Sequence, residues 1–259
     1  MKTLTPNSGT VYLVGAGPGA ADLLTVRAAR LLAQADIVFH DALVPDEVLS
    51  LAPKAEKVAV GKRCGRHSTA QRFIHKRLAD AARKYRVVVR LKGGDPMLFG
   101  RAQEEVSFLK TKNINVEIVP GITAALGAAA ELQVSLTQRG VSRSVVFATP
   151  RAAPGEPPSN WVRAVAGADT AVLYMASHEA EFVETELLAA GMRPDTPVAV
   201  AEDVSMPAAA LHAGKLAELQ SLAARCEGGP ALLLIGDVFE ALQAAAGSER
   251  VLRVASQII

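Results

Sequence analysis

The chain has 259 residues, half of them hydrophobic, 21% charged and 4% aromatic, with a formal net charge of +2. This excludes a disordered segment, a collagen-like fibre and a disulfide scaffold, and a chain of this length buries roughly 70–75% of its unfolded surface in one or two domains. No run of 18 apolar residues occurs, so no membrane span is expected.

Val11–Val14 is an apolar strand that ends in Gly15-Ala16-Gly17-Pro18-Gly19. Asp22 to Ala35 reads as a helix, Ile37–Phe39 as a buried strand closed by His40-Asp41, and Pro45–Leu51 as a short helix. Val58–Val60 is a strand before Gly61-Lys62. Ser68 or Thr69 can cap a helix running to about Tyr85, whose apolar positions Phe73, Ile74, Leu78, Ala81 and Ala82 share one face. Val87–Leu91 is a strand around Arg90 that enters Lys92-Gly93-Gly94-Asp95-Pro96. A helix over Arg101–Lys112 and a strand over Val116–Val119 follow. Continuous apolar strands separated by helices define an α/β fold with a mostly parallel sheet covered on both faces. In such sheets the loops after the strands carry the ligand.

Past Pro120-Gly121 a small-residue helix, Thr123–Leu132, opens a second half. The division is expected at residues 1–121 and 122–259. Ser144–Ala148, a Pro-rich loop over Pro150–Pro158, a helix near Trp161–Ala166, a strand Ala171–Met175 and a helix Glu179–Ala190 ended by Gly191 come next. Strands Val198–Ala201 and Ala231–Ile235 complete it.

Charge is uneven. Lys62 to Lys92 holds eleven lysines and arginines against Asp80 alone, so this segment is +10 and the remainder −8. Such a segment suits a polyanion, either a nucleic acid or a polycarboxylate or phosphate ligand, or it is simply a solvated helix face. The two cysteines, Cys64 and Cys226, lie far apart. With no signal-peptide pattern at MKTLTPNSGTVYLV, reduced thiols in the cytoplasm are expected. The five histidines are dispersed and form no metal-ligand pattern, so no metal is expected.

Two glycine loops compete for attention. Gly15-Ala16-Gly17-Pro18-Gly19-Ala20 fits the dinucleotide pattern, with Asp41 about twenty residues on in the ribose-binding position. Pro18, however, removes an N–H from that turn, and Gly93-Gly94-Asp95-Pro96 is an equally prominent loop after another strand. From these residues alone the chain is an α/β enzyme with a nucleotide-like ligand.

The order and spacing of motifs go further. VGAGPG, LLT, ADIVFHDALV, VGKRCGRHSTAQ, VVRLKGGDPMLFGRAQEE, VEIVPGITAA, SLTQRG, VLYMA and TPVAVAED follow one another. Together they resemble the tetrapyrrole methylase family, over about residues 10–238, and within it the branch that C-methylates uroporphyrinogen III. The resemblance implies two α/β domains with S-adenosylmethionine in the cleft between them, two successive methylations giving precorrin-2 and S-adenosylhomocysteine, and a cytoplasmic homodimer that uses neither nucleic acid nor membrane.

It also implies roles. Asp41 matches the family's proton acceptor and Lys62 its proton donor, with Arg101 a third group for proton handling or substrate clamping; the alternatives are a loop-bracing acid and a plain carboxylate-binding cation. Arg63, Arg66, Arg139, Glu104 and Met175 match substrate contacts, and arginine's planar fork suits a substrate with eight carboxylates. Pro18, Gly93, Gly94, Asp95, Leu98, Thr123, Ala124, Met175 and Val204 match cofactor contacts. Thr123-Ala124 opens a helix whose first N–H groups are free for a carboxylate or ribose. Val204 stands where the family commonly has glycine, which a backbone contact tolerates and a positive φ does not. A ribosomal-RNA substrate on the same fold is the second reading, disfavoured by scarce aromatics; a nicotinamide oxidoreductase is the third.

Overall fold

A computed structural model describes residues 9–60, 67–152, 155 and 159–245. Lys62, Arg63, Arg66 and Cys64 lie outside the described residues, as does most of the Pro-rich loop. The chain divides into two units, Met1–Ala124 and Ala125–Ile259, so the break falls three residues beyond the expected one.

The first unit holds β1 (Thr10–Gly15), α1 (Val26–Gln34), β2 (Ile37–His40), α2 (Asp46–Ser50), β3 (Glu56–Ala59), α3 (His67–Ala82), β4 (Val87–Lys92), α4 (Ala102–Thr111) and β5 (Asn115–Val119). Its sheet is entirely parallel, in the order β3-β2-β4-β1-β5. Strand periodicity divides the core. Val11, Leu13, Ile37, Phe39 and Val88 pack with Ile74, Leu78, Val106 and Leu109 of α3 and α4. Val14, Val38, Val89 and Leu91, of the other parity, pack with Ala28, Leu32 and Val48 of α1 and α2. Both faces are therefore covered, as continuous apolar runs require.

Three local expectations change. The helix expected from Asp22 starts at Val26. A 3₁₀ turn, Ala21–Leu23, comes first, then Leu24 and Thr25 are extended, and the Thr25 hydroxyl accepts the Ala28 N–H at 3.1 Å; a side-chain cap fixes where the helix begins. Helix α3 is already formed at His67, which places Ser68 and Thr69 within it rather than ahead of it. Phe73 is 58% exposed rather than on the buried face, and the Arg77 guanidinium lies 5.5 Å from its ring centre and 5.5 Å from that of Phe39.

The second unit contains α5 (Ala124–Leu132, opening at the junction), β6 (Val145–Ala148), α6 (Trp161–Ala166), β7 (Thr170–Tyr174), α7 (Ala180–Ala189), β8 (Pro197–Glu202), β9 (Ala210–Lys215), α8 (Leu219–Ala223), β10 (Ala231–Gly236) and α9 (Glu240–Ala245). Its sheet runs β6-β7-β10-β8-β9; only β6 and β7 are parallel, and the other pairs are antiparallel. Strand β9 escapes sequence reading because Ala210–Lys215 mixes small and polar residues, half-buried on both faces, with no alternation to detect. Trp161, Val183, Leu187, Leu219, Leu222 and Leu233 centre one core layer.

One device recurs at both sheets. Asp36, just before β2, accepts the backbone N–H groups of Arg86 (2.9 Å) and Val87 (2.8 Å) at the start of β4. Asp169, just before β7, accepts those of Arg143 (2.8 Å) and Ser144 (3.0 Å) at the start of β6, together with the Ser144 hydroxyl. In each unit a carboxylate satisfies strand-start donors that would otherwise go unpaired.

Candidate active site

The carboxyl ends of β1, β2, β4 and β5 converge. Gly17 and Gly94 exchange backbone hydrogen bonds, Gly94 N–H to Gly17 O at 2.7 Å and Gly17 N–H to Gly94 O at 3.2 Å. Both have positive φ, 74° and 64°, which a side chain would resist. The loop after β5 closes on them. Asp95 accepts the Gly121 N–H (2.9 Å) on one oxygen and the Met97 N–H (2.8 Å) on the other. A Cβ on Gly15 would meet Gly121 and the Gly94 carbonyl at 2.6 Å. The three loops thus form one close-packed backbone platform. Gly93 differs: it is exposed, and among the described residues a Cβ there would meet only Leu43, at 3.8 Å, an ordinary contact.

This packing removes the dinucleotide reading. The Gly17 N–H is spent on Gly94, and Val26 starts the next helix nine residues past Gly17. A pyrophosphate site needs free N–H groups at a helix that opens directly from the glycine turn.

Asp41 follows β2 at the same edge, its N–H bonded to Leu91 O of β4 at 3.3 Å. Its carboxylate, about one-third exposed, receives Arg90 Nη2 at 2.5 Å. Arg90 Nε donates to Glu105 Oε1 (3.2 Å), and Lys92 Nζ donates to both Glu105 oxygens (3.2 and 3.3 Å). Arg90, Lys92 and Glu105 are all buried. Gln71 Nε2 adds a bond to Glu105 (3.3 Å) and meets His75 Nε2 at 3.2 Å, while the His75 ring stacks on Phe108 at 5.1 Å. Burial pushes the Lys92 ammonium below its ordinary value, with Arg90 acting in the same direction, and burial likewise lowers His75. Two cations of the +10 segment therefore point into the protein, because residues 88, 90 and 92 share the strand face that meets α3 and α4.

Arg101, at the start of α4, has φ 54° and grips Glu104 through two bonds, Nε to Oε1 at 2.7 Å and Nη2 to Oε2 at 2.8 Å; both side chains are half exposed. The hydrogen bond from Arg101 holds the Glu104 carboxyl below its usual range. Phe99, two residues earlier, also has positive φ, 53°. This local strain marks a loop built for geometry rather than stability.

The other expected residues divide by unit. Pro18, Asp41, Gly93, Gly94, Asp95, Leu98, Arg101, Glu104 and Thr123 all follow strand ends of the first sheet; Thr123 is buried and Leu98 half-buried. In the second unit, Met175 follows β7 and Val204 follows β8, and these strands leave the same end of their sheet because each is antiparallel to β10. Met175 is 45% exposed with φ 56°, so it is not a core methionine. Val204 is buried, and the positive φ falls on its neighbours Asp203 (49°) and Ser205 (64°). The Ala125 N–H near the start of α5 is not free; it is donated to the Tyr174 hydroxyl at 3.2 Å. Arg139 is exposed, in a turn tied to the opposite end of that sheet by Ser142 Oγ and Thr170 Oγ1, 2.9 Å apart. The fold does not bring Arg139's loop to Met175 and Val204. Among the described residues no three His, Cys, Asp or Glu gather to hold a metal, and no helix is long and apolar enough to cross a membrane.

Sequence reading missed the buried set Arg90, Lys92 and Glu105, with half-buried Gln71 bonded to it. Its signal was present: two cations two residues apart in an apolar strand, and a glutamate on the helix face shared by Ala102, Val106 and Leu109.

A parallel α/β sheet with this platform, paired with a mixed second sheet, defines a protein class. Residues 10–220 match the model of the Tetrapyrrole (Corrin/Porphyrin) Methylases, and the chain belongs to that family. The siroheme synthase of Zymomonas mobilis is 44% identical over 234 residues, 90% of this chain and 50% of the relative; that of a Psychrobacter species is 43% identical over 244 residues. The chain spans about half the length of these curated relatives. Among solved structures it is similar to the uroporphyrin-III C-methyl transferase of Thermus thermophilus complexed with S-adenyl homocysteine (39% identity, 90% of this chain, 100% of that one, TM-score 0.79). It is also similar to a cobalt precorrin-4 methyltransferase (28% identity, 89% and 95% covered, TM-score 0.79).

Proposed function

We propose that the chain is an S-adenosylmethionine-dependent C-methyltransferase that methylates uroporphyrinogen III twice and yields precorrin-2. The observation that carries this is the placement of Asp41. It is a carboxylate at the sheet's carboxyl edge, by the loop of exposed Gly93 and within the GKR…RLKGGDP motif context of a tetrapyrrole methylase.

The platform suits the cofactor. Gly93 is exposed and has room for an approaching ligand among the described residues, and Asp95 fixes the loop through Gly121 and Met97. Pro18, Gly93, Gly94, Asp95, Leu98, Thr123 and Ala124 are the residues that hold it, and within the second unit Met175 and Val204 are further contacts. When bound, S-adenosylmethionine supplies a methyl group already activated on a sulfonium. For each methyl gained, the macrocycle loses a proton, and Asp41 accepts it; general-base assistance of this kind is typically worth about 10²–10⁴-fold. Lys62 is the matching proton donor. Arg101, with Arg63 and Arg66, clamps the substrate's carboxylates and orients it, bidentate arginine pairing giving direction as well as energy; Glu104, held by Arg101, is another proposed substrate contact. Arg139 is a further proposed substrate contact, although its loop lies at the other end of the second sheet. Buried Arg90 holds one side of Asp41 and leaves the carboxylate about one-third exposed, which supports a substrate on its open side.

A homodimer working in the cytoplasm completes the reading, and sedimentation tests the dimer. The decisive assay incubates the purified chain anaerobically with S-adenosylmethionine and uroporphyrinogen III. Product mass should rise by two methyl groups in succession, and Asp41→Ala should slow the gain by about 10²–10⁴-fold while the fold and cofactor binding persist. Cofactor binding without transfer would move the substrate elsewhere, to another tetrapyrrole or to RNA.

A further inference from the structure

We infer that Arg90 is the positioning residue for Asp41, and that Glu105, itself fixed by Lys92 and Gln71, holds the guanidinium in place for that purpose. The inference rests on the reading of Asp41 as proton acceptor. Arg90 is 2% exposed in a strand, Val87–Lys92, whose other residues are apolar except Lys92. Burying a guanidinium is costly, and a well-packed apolar residue at such a site is often at least as stable. Stability therefore does not explain the arginine; its geometry does. Nη2 reaches out to Asp41 at 2.5 Å, Nη1 binds Leu91 O at 3.1 Å, and Nε turns back to Glu105 at 3.2 Å. Each edge of the fork has a different partner, so the plane of the guanidinium is fixed by three bonds and Asp41 is aimed by the first.

The charges also balance. Arg90 and Lys92 face Glu105 and Asp41. Glu105 is fully buried and bonded by Arg90, Lys92 and Gln71, so it has no exposed surface of its own to offer a substrate. Its task is internal. The chain Lys92–Glu105–Arg90–Asp41 ends at the one member that solvent reaches, and that end lies beside Gly93.

Lysine at position 90 keeps the charge but cannot reach Asp41, Leu91 O and Glu105 together. Arg90→Lys should lower kcat by roughly tenfold to a hundredfold, the scale of a misplacement of about 1 Å, with the Kd for S-adenosylmethionine within about twofold of wild type. In an Asp41→Asn background, followed by single turnover, Arg90→Lys should cost less than about twofold more, because its effect runs through Asp41. A merely structural role would give the same loss in both backgrounds and would overturn the inference. Crystal structures of Arg90→Lys and Arg90→Gln supply a readout independent of turnover. The Asp41 carboxylate should rotate away from its wild-type position in each; if it stays in place, the inference falls. If the wild-type chain transfers no methyl but Asp41 moves in the variants, the proton-acceptor reading falls and the hold of Arg90 on Asp41 stands.

Discussion

Gly17 and Gly94 hydrogen-bond to each other in both directions across the carboxyl ends of β1 and β4, and Gly121 fills the remaining space against Gly15. The platform therefore contains two kinds of glycine. Gly15 is enclosed by backbone, whereas among the described residues a Cβ on exposed Gly93 would make only an ordinary contact with Leu43. Gly15→Ala should destabilise the fold by about 1–3 kcal/mol, as overpacking does, because the atoms it meets are backbone and cannot turn aside. Gly93→Ala should leave the thermal midpoint nearly unchanged yet weaken S-adenosylmethionine binding, since its methyl would project where the ligand is proposed to lie. Thermal melts and calorimetric titration of both variants check the pair. Equal effects on both measurements in both variants would remove the distinction.

Glu105 carries the buried charge balance. Replacing it by alanine leaves Arg90 and Lys92 as neighbouring buried cations with only Asp41 opposite them. Removing one partner of a buried pair typically costs about 3–5 kcal/mol, so Glu105→Ala should unfold at clearly lower urea. Adding Lys92→Met should recover part of that loss, because burial already disfavours the lysine's charged form. A double variant less stable than Glu105→Ala alone would show that Lys92 has some other tie.

How much of this was legible beforehand differs between the units. In the first, β1, β2 and β4 carry apolar runs that were readable, as were the apolar ends of β3 and β5, down to the loops that carry Asp41 and Gly93-Gly94. In the second, Ala210–Lys215 gives no alternation, so β9 was invisible and with it the antiparallel edge pair β8-β9. Helix ends failed where a side chain decided them: Thr25, not the apolar Leu23-Leu24, sets the start of α1. The buried ion network failed for a different reason. A charge count treats Arg90 and Lys92 like Arg83 and Lys84, and only the strand's period of two, combined with Glu105 on the facing helix, turns the first two inward.

Asp169 gives a pH-dependent contribution in the second unit. The Arg143 N–H, then the Ser144 hydroxyl and N–H, hold its carboxyl below the usual 3.8. A depressed folded pKa adds stability above the unfolded value, and that stability is lost as pH falls through the folded one. Wild type should therefore exceed Asp169→Asn in stability at pH 6, and the difference should shrink below about pH 3.8. Urea midpoints at pH 6 and pH 3 check this. A gap that is constant with pH would mean that the hydrogen-bond geometry, not the charge, holds the β6 start.

Cys226 should be inert for a reason that can be removed. Burial, and then the charge of Glu202 and a hydrogen bond to it, push its thiol up to about 11. Glu202 is itself fixed, since its carboxylate accepts the N–H groups of Glu227 (2.9 Å), Gly228 (2.8 Å) and Gly229 (2.6 Å). Only the thiolate reacts, so a thiol at about 11 is ionised to about one part in a thousand at pH 8. Alkylation of the Cys226 peptide by iodoacetamide, followed by mass spectrometry so that Cys64 does not interfere, should be roughly a hundredfold slower in the native chain than in the denatured one. Glu202→Gln keeps the side-chain shape and one acceptor for the loop but removes the charge, so native alkylation should speed up in a variant that still melts cooperatively. If the native rate already lies within about tenfold of the denatured rate, the thiol is not suppressed. If Glu202→Gln leaves the rate unchanged, burial alone suppresses it and the carboxylate serves only the loop.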